Sequence, residues 1–322
     1  MNAEAGHKAG MSVVLITDHF STIARVVRQL AAQTVRDQLE IVIVCTSTKA
    51  LEPDQEALSG FASVVVVETG ALHPLPVARA AGVRAAHASI VFLGETHSYP
   101  HPDFAALLIA AHRAHWDVVI PGFDNANEDG TLSWAAFLTD YGYWLHYLPE
   151  GQVEAAPTRN VAYKRSSLLD LGDTMASALT NGDELASAFR ARGRVIYFLP
   201  AARLDHANVS RSFREWMDER FLSGLLVGSN RRSRWPLHRR WLHIVASPLI
   251  PVVLLSRIAP AMRSARTHGW LPPFTLAALI AGLVIRSFGE FVGYLAGARD
   301  DQEARMEEYE LHKLKYTRRR PG

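Results

Sequence analysis

Up to about residue 122 the chain alternates short runs of β-branched apolar residues with stretches of helical periodicity. That alternation most narrowly restricts its fold. Residues 12–17 (SVVLIT), 40–45 (EIVIVC), 62–67 (ASVVVV), 89–93 (SIVFL) and 117–121 (DVVIP) are short and continuous in apolar character, which predicts buried strands. Between them, residues 21–33 place Ile23, Val26, Val27 and Leu30 on one helical face. Residues 76–87 and 103–115 carry helical patterns too, the latter after a turn marked by Pro100 and Pro102. Strand and helix alternating at this spacing predict βαβ units and a mostly parallel sheet, an α/β fold. Ligands of such sheets gather at the carboxyl ends of the strands. Those ends are Thr17-Asp18-His19, Cys45-Thr46-Ser47 and Gly94-Glu95-Thr96-His97.

The pattern then loosens. Residues 131–148 are rich in aromatics at helical spacing, which fits helix packing or the wall of an acceptor site. A helix is expected over 183–193, ending at Gly193, and a strand over 194–199. After about 235 two apolar segments follow. The first, 244–259, holds Pro248 and Pro251; the second, 271–285, runs into Arg286 and Glu290, four apart and able to pair on one helix face. A spanning helix needs roughly 20 apolar residues. Two paired spanning helices, in-plane or re-entrant helices, and a buried soluble hairpin all remain open. Eleven arginines between 211 and 266 face only Glu215, Asp218 and Glu219, a basic stripe suited to anionic lipid headgroups or to a solvated face. No recognition motif points to nucleic acid. The expected limits are a polar tail at 1–10 without the apolar run of a secretory signal, a catalytic-type domain at 11–230, a membrane-associated helical segment at 231–300 and a charged tail at 301–322 ending in Arg318-Arg319-Arg320. With 322 residues, 48% of them hydrophobic, the chain can bury one large α/β core plus an appendage. A single cysteine, Cys45, excludes an intrachain disulfide framework. The glycine patterns of dinucleotide sites, P-loops and nucleophile elbows are absent.

Several segments, taken in order, resemble the inverting family-2 glycosyltransferases of GT-A fold. Residues 12–34 (SVVLITDHFSTIARVVRQLAAQT) are similar to that family's opening strand, polar turn and helix ending in Gln-Thr. Residues 78–93 resemble its Ala-Arg-Asn-x-Gly helix and the strand leading to its metal motif. Residues 160–172 (NVAYKRSSLLDLG) resemble its Asn-x-Ala-x-Arg-Arg segment, and 185–206 its closing helix, strand and terminal histidine. Residues 211–221 stand where its basic-aromatic helix follows. The resemblance covers roughly 11–225. There are departures. The family's Asp-Asp after the second strand is Cys45-Thr46 here, its Asp-x-Asp metal motif is Gly94-Glu95-Thr96-His97, and its Glu-Asp pair falls on Asn181-Gly182, with Asp183-Glu184 one step later. These changes resemble a divergent bacterial branch.

The resemblance implies a donor nucleotide-diphosphate sugar held by Thr17, Asp18, Thr46, Arg79 and Glu95. It implies a divalent cation, Mn²⁺ or Mg²⁺, on Glu95, His97 and His206, which are otherwise turn or structural residues. Asp183 or Glu184 would serve as base, against the bland reading of carboxylates favoured at a helix N-terminus. Asn160 and Lys164 would lie near the acceptor, a lipid-linked or envelope glycan. Arg211 and Arg214 would meet diphosphate or lipid headgroup. The expected location is the inner, cytoplasmic membrane with the catalytic domain on the cytoplasmic side. The rival reading is a non-catalytic membrane-anchored protein of the same fold that binds a glycan, nucleotide or partner protein. A sugar nucleotidyltransferase fits less well, because residues 17–25 lack the glycine-rich loop that chemistry uses.

Overall fold

The computed structural model describes residues 9–128, 130–268 and 271–317. The run Arg318-Arg319-Arg320 and most of the 1–10 tail lie outside the described residues. Two compact units are present, one of Met1–Gly122 with Pro149–Asp205, the other of Phe123–Leu148 with His206–Gly322. The limits at 230 and 300 read from the sequence both fall within the second unit.

The first unit is organised on a sheet. Its strands are β1 (Met11–Ile16), β2 (Leu39–Cys45), β3 (Ser63–Glu68), β4 (Ile90–Leu93), β5 (Ser98–Pro100), β6 (Val118–Asn125), β7 (Gly151–Gln152), β8 (Val161–Lys164) and β9 (Ile196–His206). Their order is β3-β2-β1-β4-β8-β6-β9-β5, with β7 paired to β9. β1 pairs in parallel with β2 and β4, and β2 with β3. β8 is antiparallel to both β4 and β6, and β7 to β9, so the sheet is mixed rather than mostly parallel. β8 enters from a loop without a crossover helix, and an antiparallel ladder needs none.

Every residue of β1, β2 and β4 is buried, as their continuous apolar runs require. β3 differs from the buried strand expected at 62–67. It is the sheet edge, and Val64 and Val66 are exposed. Helix α1 (Phe20–Ala31) buries Ile23, Val26, Val27 and Leu30, and His19 caps it by accepting the Ser21 amide at 3.2 Å. After α2 (Thr48–Leu51), helix α3 (Leu75–Ala85) lies on β1 and β2. Gly82 makes that approach possible, since a Cβ there would collide with Val14 and stand 2.9 Å from Val44 Cγ2. Helix α4 (Phe104–Ala111) stops short of the predicted 115, and His112 is buried as its C-cap.

Helix α5 (Thr131–Tyr141) belongs to the second unit, while α6 (Arg165–Leu169), α7 (Met175–Ala178) and α8 (Gly182–Arg190) complete the first. The second unit continues with α9 (Phe213–Arg234), α10 (Leu237–Ala246), α11 (Ile250–His268), α12 (Thr275–Ala296) and α13 (Asp300–Leu311). Its core holds an ion network centred on Arg220, which is 2% exposed. The guanidinium donates to Asp140 at 2.8 and 2.7 Å and to Glu219 at 2.6 Å. Burial alone would raise the Asp140 carboxyl, but Arg220 holds it down to about 2, whereas burial leaves the neighbouring Glu219 above its ordinary value. Two helical runs, Leu237–Thr267 and Thr275–Ala296, are long and apolar enough to cross a membrane.

Candidate functional site

The carboxyl ends of β1, β2 and β4 lie side by side because those strands are parallel neighbours. Gly94, Glu95, Thr96 and His97 leave β4, and β5 begins at Ser98. The Gly94 amide still donates to Val14 O at 3.0 Å, which fixes the turn to β1. From the other side, the Asn160 amide donates to Leu93 O at 2.6 Å. Asn160 has a φ of 56°, in the left-handed region that asparagine tolerates better than most residues. That geometry aims its side chain at the same turn.

Glu95 is the hub. It is 6% exposed, and four side chains of the first unit converge on it. Asn160 Nδ2 donates to Glu95 Oε2 at 2.5 Å and to Ser98 Oγ at 3.0 Å. Ser98 Oγ donates to Glu95 Oε2 at 3.4 Å, and His97 Nε2 lies 3.5 Å from the same oxygen. Arg159 Nε stands 3.0 Å from Oε1. His97 is fully buried, with Nδ1 3.2 Å from Thr96 Oγ1. A buried carboxylate and an imidazole facing each other are a donor pair that suits Mn²⁺ better than Mg²⁺. Arg159 adds a fixed positive charge suited to diphosphate oxygens.

Thr17 and Asp18 follow β1, and Thr46 follows β2. Thr17 is buried and its hydroxyl donates to His19 O at 2.7 Å, while Asp18 accepts from Thr22 at 3.3 Å. The Thr46 carbonyl accepts the Gly70 amide at 3.1 Å. Cys45 is buried and sits in register with Glu68 at the end of β3. A carboxylate therefore does stand at this strand end, supplied by β3 rather than β2. The Thr48 side chain and amide hold Glu68 below the usual carboxylate range, the amide donating at 2.6 Å. Arg79 is buried on α3, and its charge acts on Tyr163, whose hydroxyl burial pushes up.

Lys164 pairs with Ile90 at the start of β4, while Val161, next to Asn160, pairs with Leu93 at its end. The two acceptor candidates thus occupy opposite ends of β8, and Lys164 Nζ donates to Ala114 O at 3.3 Å. Asp183 and Glu184 form the first turn of α8, where Asn181 caps by accepting the Asp183 amide at 2.9 Å. In the second unit, His206 is buried, its Nδ1 3.1 Å from Asn208 Oδ1 and its ring 4.3 Å from that of Tyr141. Asn208 Nδ2 in turn donates to Asn125 Oδ1 at 3.0 Å. Arg211 pairs with Glu215 and donates to Lys315 O at 2.7 Å; Arg214 is exposed. Sequence reasoning missed Arg159, Ser98 and Glu68. The first had a signal, a basic residue directly before the Asn160 segment.

No family model matches the chain, and no curated protein does. Solved structures do. The mannosyltransferase PcManGT from Pyrobaculum calidifontis, in complex with GDP-Man and Mn²⁺, superposes with a TM-score of 0.50 at 17% identity, covering 92% of this chain and 86% of that one. GalNAc-T7 with UDP, GalNAc and Mn²⁺ gives 0.46 at 19% identity over 64% of this chain, which spans only 44% of that protein's length. S. aureus TarS 1-349 with UDP gives 0.44 at 16%, covering 90% and 92%. The mannosyltransferase match establishes the fold: this chain has a GT-A glycosyltransferase fold with two apolar C-terminal helices.

Proposed function

We propose that this protein is a membrane-associated glycosyltransferase, a divergent bacterial member of family 2. It moves a sugar from a nucleotide-diphosphate sugar to a lipid-linked or envelope glycan, with inversion, on the cytoplasmic side of the inner membrane. The observation that carries this reading is the convergence of His97, Arg159, Asn160 and Ser98 on buried Glu95 at the carboxyl end of β4. A fold shared with a structure that holds GDP-Man and Mn²⁺ supports it.

In this reading Thr17, Asp18, Thr46 and Arg79 hold the donor nucleotide. Glu95 and His97 would hold a divalent cation, which when bound would neutralise the charge that develops on the leaving diphosphate. His206 is retained from the resemblance as a further contact for diphosphate or metal. Arg159 adds positive charge beside Glu95, and Asn160 and Ser98 fix the carboxylate so that no reorganisation is needed during transfer. Asp183 or Glu184 takes the proton of the acceptor hydroxyl. The hydroxyl oxygen attacks the anomeric carbon opposite the diphosphate, one C–O bond forms as the other breaks, and the configuration inverts. Lys164, Arg211 and Arg214 are assigned to acceptor, diphosphate or headgroup charge.

One observation favours the rival reading. Arg159 lies on Glu95 as an internal counter-ion, and Cys45-Thr46 replace the acidic pair of the family. A protein that binds a glycan, nucleotide or partner without turnover would tolerate both. The test is release of nucleoside diphosphate from UDP-, GDP- and TDP-sugars by the purified full chain, with a bacterial lipid extract and Mn²⁺. Release that Glu95→Gln abolishes supports transfer. Absence of release from every donor supports the non-catalytic reading.

A further inference from the structure

Helix α10 is built inside out. In a water-soluble protein an amphipathic helix turns its apolar face to the core. Here no residue of α10 is buried, and Leu237, Trp241, Leu242 and Val245 are exposed, Val245 at 76%. Its polar face meets the rest of the unit instead. Arg240 Nη2 donates to Tyr294 O at 3.4 Å, and the His243 ring lies 5.9 Å from that of Tyr294 on α12. The exposed apolar surface continues through Leu249, Val252 and Val253. On α12, the exposed residues Leu276, Ile280, Val284 and Phe288 recur every fourth position, a single stripe.

The composition and packing of these helices oppose a crossing. Sixteen residues separate Arg240 from Arg257, and they include Pro248 and Pro251. Helix α12 is locked along α9 by Gly224 and Gly228 on one helix and Gly289 and Gly293 on the other. A Cβ on Gly228 would stand 3.0 Å from Gly293 Cα, so the two backbones are in contact. Only ten uncharged residues lie between Arg220 and Arg231 of α9, against the roughly 20 a bilayer needs. Arg231 Nη1 also holds Glu290 Oε1 at 2.6 Å. If α12 crossed, it would carry the charged α9 into the hydrocarbon. Arg234, Arg239, Arg257, Arg263 and Arg266 are all exposed, and no Asp or Glu occurs between the first and the last of them. A surface that is both apolar and uniformly basic matches an anionic lipid interface, where amphipathic helices lie in plane.

We infer that the second unit is monotopic: α10, the start of α11 and the outer stripe of α12 lie in the headgroup–acyl boundary of an anionic bilayer, and neither helix crosses it. This rests on the membrane-associated reading above and fixes its topology. It does not depend on sugar transfer, and neither readout below requires activity.

The test has two parts on the full chain. The first is flotation with phosphatidylglycerol-containing vesicles and with pure phosphatidylcholine vesicles. Binding to the anionic vesicles is expected, weaker on neutral lipid and in high salt. The exposed pair Trp241→Ser/Val245→Ser should lower partitioning at least about tenfold. The second part uses single added cysteines, Thr267→Cys at the end of α11 and Glu56→Cys in the first unit, since native Cys45 is buried. A membrane-impermeant maleimide on sealed vesicles from expressing cells should label both from the same side. Labelling of Thr267→Cys only after detergent overturns the monotopic topology while leaving membrane association intact. Failure to float on any vesicle, or self-association through this face in its place, overturns the docking itself.

Discussion

Replacement of Gly224 by alanine isolates the backbone contact between α9 and α12. In an ordinary helix interior this change stabilises, because alanine exceeds glycine in helix propensity by about 1 kcal/mol. Here the added Cβ would lie 2.7 Å from Arg286 C and 2.9 Å from Glu290 N, and closer still to the Arg286 carbonyl oxygen. Comfortable carbon contacts begin near 3.5 Å, so the helices must part by about 1 Å. Buried Leu222 and Leu225 sit beside this glycine and lose packing when they do. Overpacking of a close-packed interior costs about 1–3 kcal/mol, and forced separation of two backbones belongs at or above the upper end of that range. Net of the propensity gain, Gly224→Ala should destabilise by about 2 kcal/mol, roughly 4–8 °C in thermal midpoint for a unit of this size. The control is Gly142→Ala. That glycine has φ −56°, and the nearest atom to an added Cβ is Ala261 Cβ at 3.6 Å, an ordinary contact. It should be neutral or stabilise by about 0.4–1 kcal/mol. The assay is thermal unfolding followed by circular dichroism. If Gly224→Ala melts at or above wild type, as Gly142→Ala should, the close pairing of α9 with α12 is refuted, and with it the argument against a crossing α12.

Three further outcomes are expected. Glu95→Gln and Asn160→Ala should each lower transfer by about 10² or more with intact folding, as loss of a preorganised charge contact does, and activity equal to wild type in Glu95→Gln would remove that residue from the site. The double variant Asp183→Ala/Glu184→Ala should fail to complement a deletion strain if either carboxylate is the base; full complementation assigns both to helix capping alone. Burial holds the His112 imidazole neutral, its pKa brought down from 6.5 to about 4. The unfolded chain therefore binds this proton first, so the stability it contributes is full above pH 6.5 and is lost as pH falls towards 4, at most roughly 3 kcal/mol. Urea midpoints should fall over that window in the wild type and less steeply in His112→Gln; equal slopes would contradict the assignment.

Much of the fold was legible in the sequence because it is encoded locally. β1, β2 and β4 declare themselves by continuous apolar runs, and α1 by the spacing of Ile23, Val26, Val27 and Leu30. The turn carrying Glu95 and His97 could be placed at a strand end for the same reason. What the sequence hid depends on partners distant in the chain. The valines of β3 read as a buried strand, but strand order puts them at the edge. The antiparallel course of β8 is set by its place between β4 and β6, which no periodicity records. Arg159 gains meaning only once the left-handed turn at Asn160 brings it to Glu95. α10 shows the reverse difficulty: its amphipathic pattern was present, but only the packing of Arg240 and His243 against Tyr294 shows which face points outward.

The central claim is that the cluster around Glu95 belongs to a site for a nucleotide-diphosphate sugar. The most direct test is a thermal-shift titration of the full chain with UDP, GDP and TDP, each with and without Mn²⁺, in wild type and Glu95→Gln. Stabilisation by one nucleotide is expected, strengthened by Mn²⁺ in wild type and not in Glu95→Gln. No stabilisation by any nucleotide, with or without metal, would contradict it.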